Sequence, residues 1–229
     1  MTNLRTVLAA ALLAAATLTA LAAEDFSPAE RALFMDPHFA GIKPPQTLHY
    51  SFQSSGSLEA AFDDNVTLKL KAQPDGRCCS AEAQFLSGAR RVTLPAVDVA
   101  QGNPVILYFL ERDIHEMQRL TQGQANYFRK RIRMAVFQGA QVREVALQYR
   151  GRSVAGREIE IAPYLDDPLH ERFEKLANKR YWFTLSNAVP GGVASIRTRV
   201  AGATDSVPPL IAEELLADGV VPSAPRTNP

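Results

Sequence analysis

Apolar and polar residues alternate along much of this chain, and the points where the period changes divide it into elements. Over residues 48–58, Leu48, Tyr50 and Phe52 alternate with His49, Ser51, Gln53 and Ser55; over 66–72, Val66, Leu68 and Leu70 alternate with Thr67, Lys69 and Lys71. A period of two sends successive side chains to opposite sides of a strand, so both stretches predict antiparallel strands with one buried face. The turn at Pro74, Asp75 and Gly76 leads into a third strand over 77–86, and Ser87 with Gly88 into a fourth over 90–94.

In the middle the period lengthens. Val105, Ile106, Phe109, Leu110, Ile114, Met117 and Leu120 recur every three or four residues, as do Phe128, Ile132, Ala135 and Val136. That spacing gathers them on helical faces. Thr121 and Gln124 fit a capping box around Gly123, which predicts two helices or one sharply bent one. After Gly139, strands are expected at Val142 with Val145, Leu147 and Tyr149, over 157–163, over 181–185 and over 193–200, where the turn 187–192 divides the last two. Asp167 and Pro168 open a predicted short helix with Leu169, Phe173 and Leu176 inward, and 210–216 predicts another. Strands, then helices, then strands give an α+β domain over 47–200: a curved antiparallel sheet with central helices packed on one face.

The first 23 residues differ from the rest. Arg5 precedes a nearly unbroken apolar run that closes on Ala20, Leu21 and Ala22, the layout of a cleavable signal peptide. The expected compartment is the periplasm of a Gram-negative cell, or secretion otherwise, with no stable membrane insertion of the mature chain. Residues 24–46 form a leader with a short helix, capped by Ser27 with Pro28 at its first position and Glu30 at its third, until Pro44 and Pro45 interrupt it. Residues 201–229 form a Pro-rich and Gly-rich extension with a loose end, disordered in part.

Charge narrows the partners. The chain holds 25 Lys and Arg against 24 Asp and Glu, and loss of Arg5 with the signal peptide makes the two counts equal. Such a balance gives no global attraction to nucleic acid, which is excluded as a partner. The local exception is Arg129, Lys130, Arg131 and Arg133, a cationic cluster on a predicted helix that also solvates the side opposite Phe128 and Ile132.

Candidate chemistry is sparse. Cys78 and Cys79 are adjacent and are the only cysteines; buried thiols, a strained mutual disulfide, intermolecular pairing and redox use all remain open for them. His38, His49, His115 and His170 share no ligand spacing, and the chain has no HExxH, no GxSxG and no phosphate-binding loop. No catalytic residue, metal or cofactor is assigned. The pairs Glu111 with His115 and Asp167 with His170 are explained by helix caps and surface ion pairs. Tyr50, Phe52, Tyr164, Trp182 and Phe183 are either ordinary core or the lining of an apolar cavity, with Arg129 or Arg133 at its mouth holding an anionic head.

In the order of its elements over 47–200, the exported chain resembles the periplasmic lipoprotein carriers, whose half-open barrel shelters acyl chains. The resemblance implies a ligand-binding geometry and carries over no motif, substrate or catalytic residue. The expectation is therefore an exported, nonenzymatic binding or accessory protein that sequesters a lipophilic small molecule in a curved-sheet cavity. The alternatives are an envelope protein-interaction module, and a hydrolase or redox enzyme with an unrecognised site.

Overall fold

The computed structural model describes residues 26–204 and 206–222. The expected signal peptide and the loose C-terminal end lie outside these residues.

Eight strands form one sheet: β1 (Gln46–Ser55), β2 (Phe62–Ala72), β3 (Cys78–Phe85), β4 (Gln141–Tyr149), β5 (Arg152–Ile161), β6 (Arg180–Leu185), β7 (Val193–Val200) and β8 (Ile211–Ala217). Their spatial order is β3-β2-β1-β8-β7-β6-β5-β4, and every neighbouring pair is antiparallel. Two meanders, β1 to β3 and β4 to β8, are thus joined where β8 lies beside β1. The expected curved half-barrel is corrected by this order. Rolling a sheet up requires its edges to approach and pair, whereas here β3 and β4 stand at opposite edges of an open sheet.

Register explains which face is covered. Phe52 faces Leu215, Leu215 faces Ile196, Ile196 faces Phe183 and Phe183 faces Ile159, an apolar row across five strands. The next row, Gln53, Glu214, Arg197, Trp182 and Glu160, projects to the other side. The apolar row is covered by α2 (Val105–Thr121), whose Phe109 ring centroid lies 6.2 Å from that of Phe52, and the adjoining α3 (Ala125–Met134) buries Phe128 and Ile132. Gln122, in the left-handed conformation, separates the two helices. The Thr121 hydroxyl binds the Met117 carbonyl and accepts from Gly123 N–H rather than forming the expected capping box with Gln124.

The leader does form its capping box: Glu30 N–H donates to Ser27 Oγ and Ser27 N–H to the Glu30 carboxylate, over the single turn α1 (Pro28–Glu30). A π-helical turn, Arg31–Met35, continues it.

Three further expectations are corrected. Residues 210–216 hold no helix; Ile211–Ala217 is a strand near the centre of the sheet. Its Glu213 shares the helix-covered face with Leu215 and is buried against Arg112, so a charge stands where alternation calls for an apolar residue. The helix after Asp167 reduces to the short 3-10 turns His170–Arg172 and Glu174–Asn178. Residues 90–94 give no strand, only one bridge between Val92 and Phe85.

Candidate functional site

A groove of about 840 Å³ opens at one end of the sheet. Its walls are the leader loop over 36–42 and the β6–β7 turn over 186–192, with Gln46, Glu144 and Ala155 to Arg157 completing it.

Local chemistry makes the β6–β7 wall rigid. Ser186 N–H donates to the Gly192 carbonyl at 2.9 Å, Gly192 N–H to the Val189 carbonyl at 2.9 Å, and Ser186 Oγ to the Ala155 carbonyl at 2.6 Å. Gly191 and Gly192 have φ of +82° and +73°, which L side chains rarely adopt. A Cβ on Gly192 would also stand 3.1 Å from the His38 ring, so the turn needs glycine there for space as well as for conformation.

His38 and Asn103 tie the two walls together. Asn103 N–H donates to His38 Nδ1 at 2.9 Å, so Nε2 carries the ring proton and donates to the Ala32 carbonyl at 2.8 Å. The Asn103 amide donates to both the Tyr50 hydroxyl and the Gly191 carbonyl at 2.8 Å, while its oxygen accepts from Val105 N–H at the start of α2. Burial lowers the His38 pKa, against the opposing pull of the Ala32 carbonyl and Asp36, and raises that of Tyr50. Both ring nitrogens of His38 are engaged in holding the leader.

Apolar lining comes from Ile42, Leu185, Val189 and Pro190, beside Ala155 and Gly156. Charge enters from Asp36, Glu144 and Arg157, of which Arg157 lies 3.6 Å from Glu144 with both side chains well exposed. So loose a pair leaves the guanidinium accessible to an anionic group.

Titratable groups concentrate elsewhere, beneath α2. Lys179 and Asp113 form an ion pair with both side chains fully buried, and the Tyr181 hydroxyl donates to the second Asp113 oxygen at 2.6 Å. Burial, then the Asp113 charge, pushes the Tyr181 pKa well up and keeps the phenol a donor. Arg112 binds Glu213 at 2.8 Å and Glu116 at 3.1 Å; burial raises the Glu213 pKa although Arg112 and Lys179 oppose it. Nearby, Tyr127, its pKa pushed up to about 12 by burial and by Asp167, donates to Asp167 at 2.6 Å, and Arg131 binds the same carboxylate at 2.8 Å. None of these groups lines the groove. They fasten α2 and α3 to β6, β8 and the turns before β6.

The seven residues singled out from sequence do not gather at one opening. Tyr50, Phe52, Tyr164 and Phe183 are fully buried; Phe52 packs among Phe62, Phe85 and Phe109, and Tyr164 between Phe128 and Phe173. Trp182 projects to the other side of the sheet under the Arg197 guanidinium, its indole N–H without a partner among the described residues. Arg129 is held by Glu111, and Arg133 is exposed on the outside of α3. Cys78 and Cys79 are joined to each other by a disulfide at the start of edge strand β3. His115 pairs with Glu111 at 3.1 Å, and His170 Nδ1 lies 2.8 Å from the Asp167 carbonyl. No group of three or more His, Cys, Asp or Glu able to hold a metal occurs among the described residues.

Sequence reading missed the groove because its walls come from three separate stretches, 36–46, 144–157 and 185–192, that only the fold brings together. The cluster of Pro190, Gly191 and Gly192 was its only local signal, and that reads equally as a tight turn.

No family model matches the chain, and no curated protein does. Among solved structures, the Mycobacterium tuberculosis lipoprotein LppX is similar over 83% of this chain and 91% of its own, at 10% identity and a TM-score of 0.30. This is a weak, partial likeness of fold, in keeping with the loose resemblance read from element order, and it brings no function with it.

Proposed function

We propose that this chain is an exported, nonenzymatic binding or accessory protein that holds a small amphiphilic molecule in the groove between the leader loop and the β6–β7 turn. The periplasm of a Gram-negative cell, or the exterior otherwise, is its place of work. The groove itself carries the reading: at about 840 Å³ it falls within the roughly 300–1,000 Å³ usual for small-molecule sites. The apolar part of the ligand lies on Ile42, Leu185, Val189 and Pro190, where leaving water supplies the driving force. Its anionic end meets Arg157, which exchanges Glu144 for the ligand. The His38 and Asn103 bonds fix the two walls relative to each other in advance, which lowers the ordering cost of binding.

The test is the mass of the protein, purified from the fraction in which it accumulates, under native and denaturing conditions, with organic extraction of whatever is released. A reproducible one-to-one adduct is expected. Ala188→Trp, which fills the groove from an exposed position, should abolish it, and Arg157→Ala should reduce it. A protein free of adduct, or an adduct that Ala188→Trp leaves unchanged, would overturn the reading.

A further inference from the structure

The outer face of α3 is amphipathic in a way that core packing does not require. Phe128 and Ile132 on its inner side, and Val136 in the turn that continues it, are buried. On the outer side lie Lys130, Arg133 and Met134 of α3 and Phe137 of the π-helical turn Ala135–Gly139 that continues it, with Met134 37% and Phe137 49% exposed. The leader adds to it: Ser27 Oγ donates to the Val136 carbonyl at 3.1 Å, which brings Phe26, itself 41% exposed, to this end of the helix. Val142, 41% exposed at the start of β4, follows a few residues beyond Phe137. Phe26, Met134 and Phe137 are therefore exposed around the C-terminal end of this helical segment, and Val142 is exposed on the strand that follows it.

Charge on the helix is sorted. Arg129 is neutralised by Glu111 and Arg131 by Asp167, whereas Lys130 and Arg133 make no ion pair among the described residues. The two unpaired cations are those on the outer side with Met134 and Phe137.

We infer that this face seats the protein on an anionic phospholipid bilayer, with Phe26, Met134, Phe137 and Val142 entering the boundary between headgroups and acyl chains and Lys130 and Arg133 on the phosphates. Apolar side chains rimmed by long cationic ones are the makings of an interfacial surface, because Lys and Arg stems bury their methylenes while the charged ends reach the headgroups. The chain's own order favours the bilayer over a protein partner: the apolar stretch of the expected signal peptide ends at Ala23, and only Glu24 and Asp25 separate it from Phe26. With that peptide attached, Phe26 is the described residue nearest to it along the chain. The binding is peripheral; among the described residues no helix is long and apolar enough to cross a membrane.

Flotation of the full chain, expressed with its own expected signal peptide and purified from the fraction where it accumulates, tests this on vesicles of phosphatidylglycerol with phosphatidylethanolamine and on vesicles of phosphatidylcholine. Binding to the anionic vesicles alone is expected, weakened by salt. Lys130→Glu with Arg133→Glu should weaken it at least about tenfold, as should Met134→Ser with Phe137→Ser, with circular dichroism unchanged. Leu107→Ser, at an exposed apolar position on α2, and the groove variant Ala188→Trp should float as the wild type does. Absence of binding, equal binding to both vesicles, or equal loss in Leu107→Ser would overturn the inference. So would a dimer that Met134→Ser with Phe137→Ser dissociates, which would assign the face to a second copy.

Discussion

Lys179 and Asp113, 66 positions apart, form an ion pair from which water is wholly excluded. Asp113 comes from the inward face of α2, and Lys179 immediately precedes β6, so the pair joins helix and sheet at one point. Each ion has lost its hydration, and the Tyr181 hydroxyl occupies the remaining carboxylate oxygen.

Removing one partner should therefore hurt more than removing both. Lys179→Met or Asp113→Leu alone leaves a buried, uncompensated charge and is expected to cost about 3–5 kcal/mol. The double variant should recover a large part of that loss, because two apolar side chains need no partners. Urea denaturation of the four proteins checks this; equal, additive losses would show that the pair is not coupled.

Acid should loosen the leader through His38. Its pKa is lowered below the ordinary 6.5 by burial, so on acidification the unfolded chain takes up a proton before the folded one does. The contribution is fully present above 6.5 and declines as pH falls from there toward the folded value. Geometry gives the same sign: a proton on Nδ1 would point at the Asn103 N–H that now donates to it. His38→Gln should cost about 1–3 kcal/mol near neutral pH through unpaired groups, yet flatten this part of the stability profile. Denaturation midpoints across the acid range measure both effects, and an unchanged slope in the variant would refute the assignment.

Ser27 serves two ends of the structure at once. Its oxygen caps α1 and its hydroxyl proton goes to the Val136 carbonyl. Ser27→Ala is expected to cost about 1–2 kcal/mol and to raise amide exchange in both the leader and the π-helical turn Ala135–Gly139. Exchange confined to the leader would mean that the Val136 bond contributes nothing.

Legibility in the sequence followed alternation and failed where polar residues turn inward. The row Phe52, Leu215, Ile196, Phe183 and Ile159 is apolar at every position, and four of its five residues lie in stretches read as strands. Leu215 is the exception. Two residues before it Glu213 points into the core, because Arg112 on a distant helix neutralises it, and a single sequence does not show that partner. Likewise residues 152–156 fall in the gap between the expected strands around 142–149 and over 157–163, yet they begin β5 and pair with β4 through backbone bonds that are indifferent to side-chain type. The aromatic candidates read equally as core or as cavity lining, and Tyr50, Phe52, Tyr164 and Phe183 are buried in the core; the groove draws its lining from separate loops and strands, whose approach no local pattern marks.

Glycine at 192 provides the sharpest local test of how the groove is built. Gly76 and Gly192 have similar φ, +80° and +73°, so alanine pays a similar conformational penalty at either position, about 1–2 kcal/mol. Their surroundings differ: nothing lies within 4 Å of a Cβ on Gly76, whereas at Gly192 it would press on Cβ, Cγ and Cδ2 of His38 at 3.1–3.2 Å. The imidazole cannot retreat without losing its bonds to Ala32 and Asn103. Gly192→Ala should thus be more destabilising than Gly76→Ala, and the excess should shrink when His38 is also shortened to alanine. Thermal or urea unfolding of the set decides it. Equal costs at the two glycines would mean that the leader yields freely, and the walls of the groove would then not be held in advance of binding.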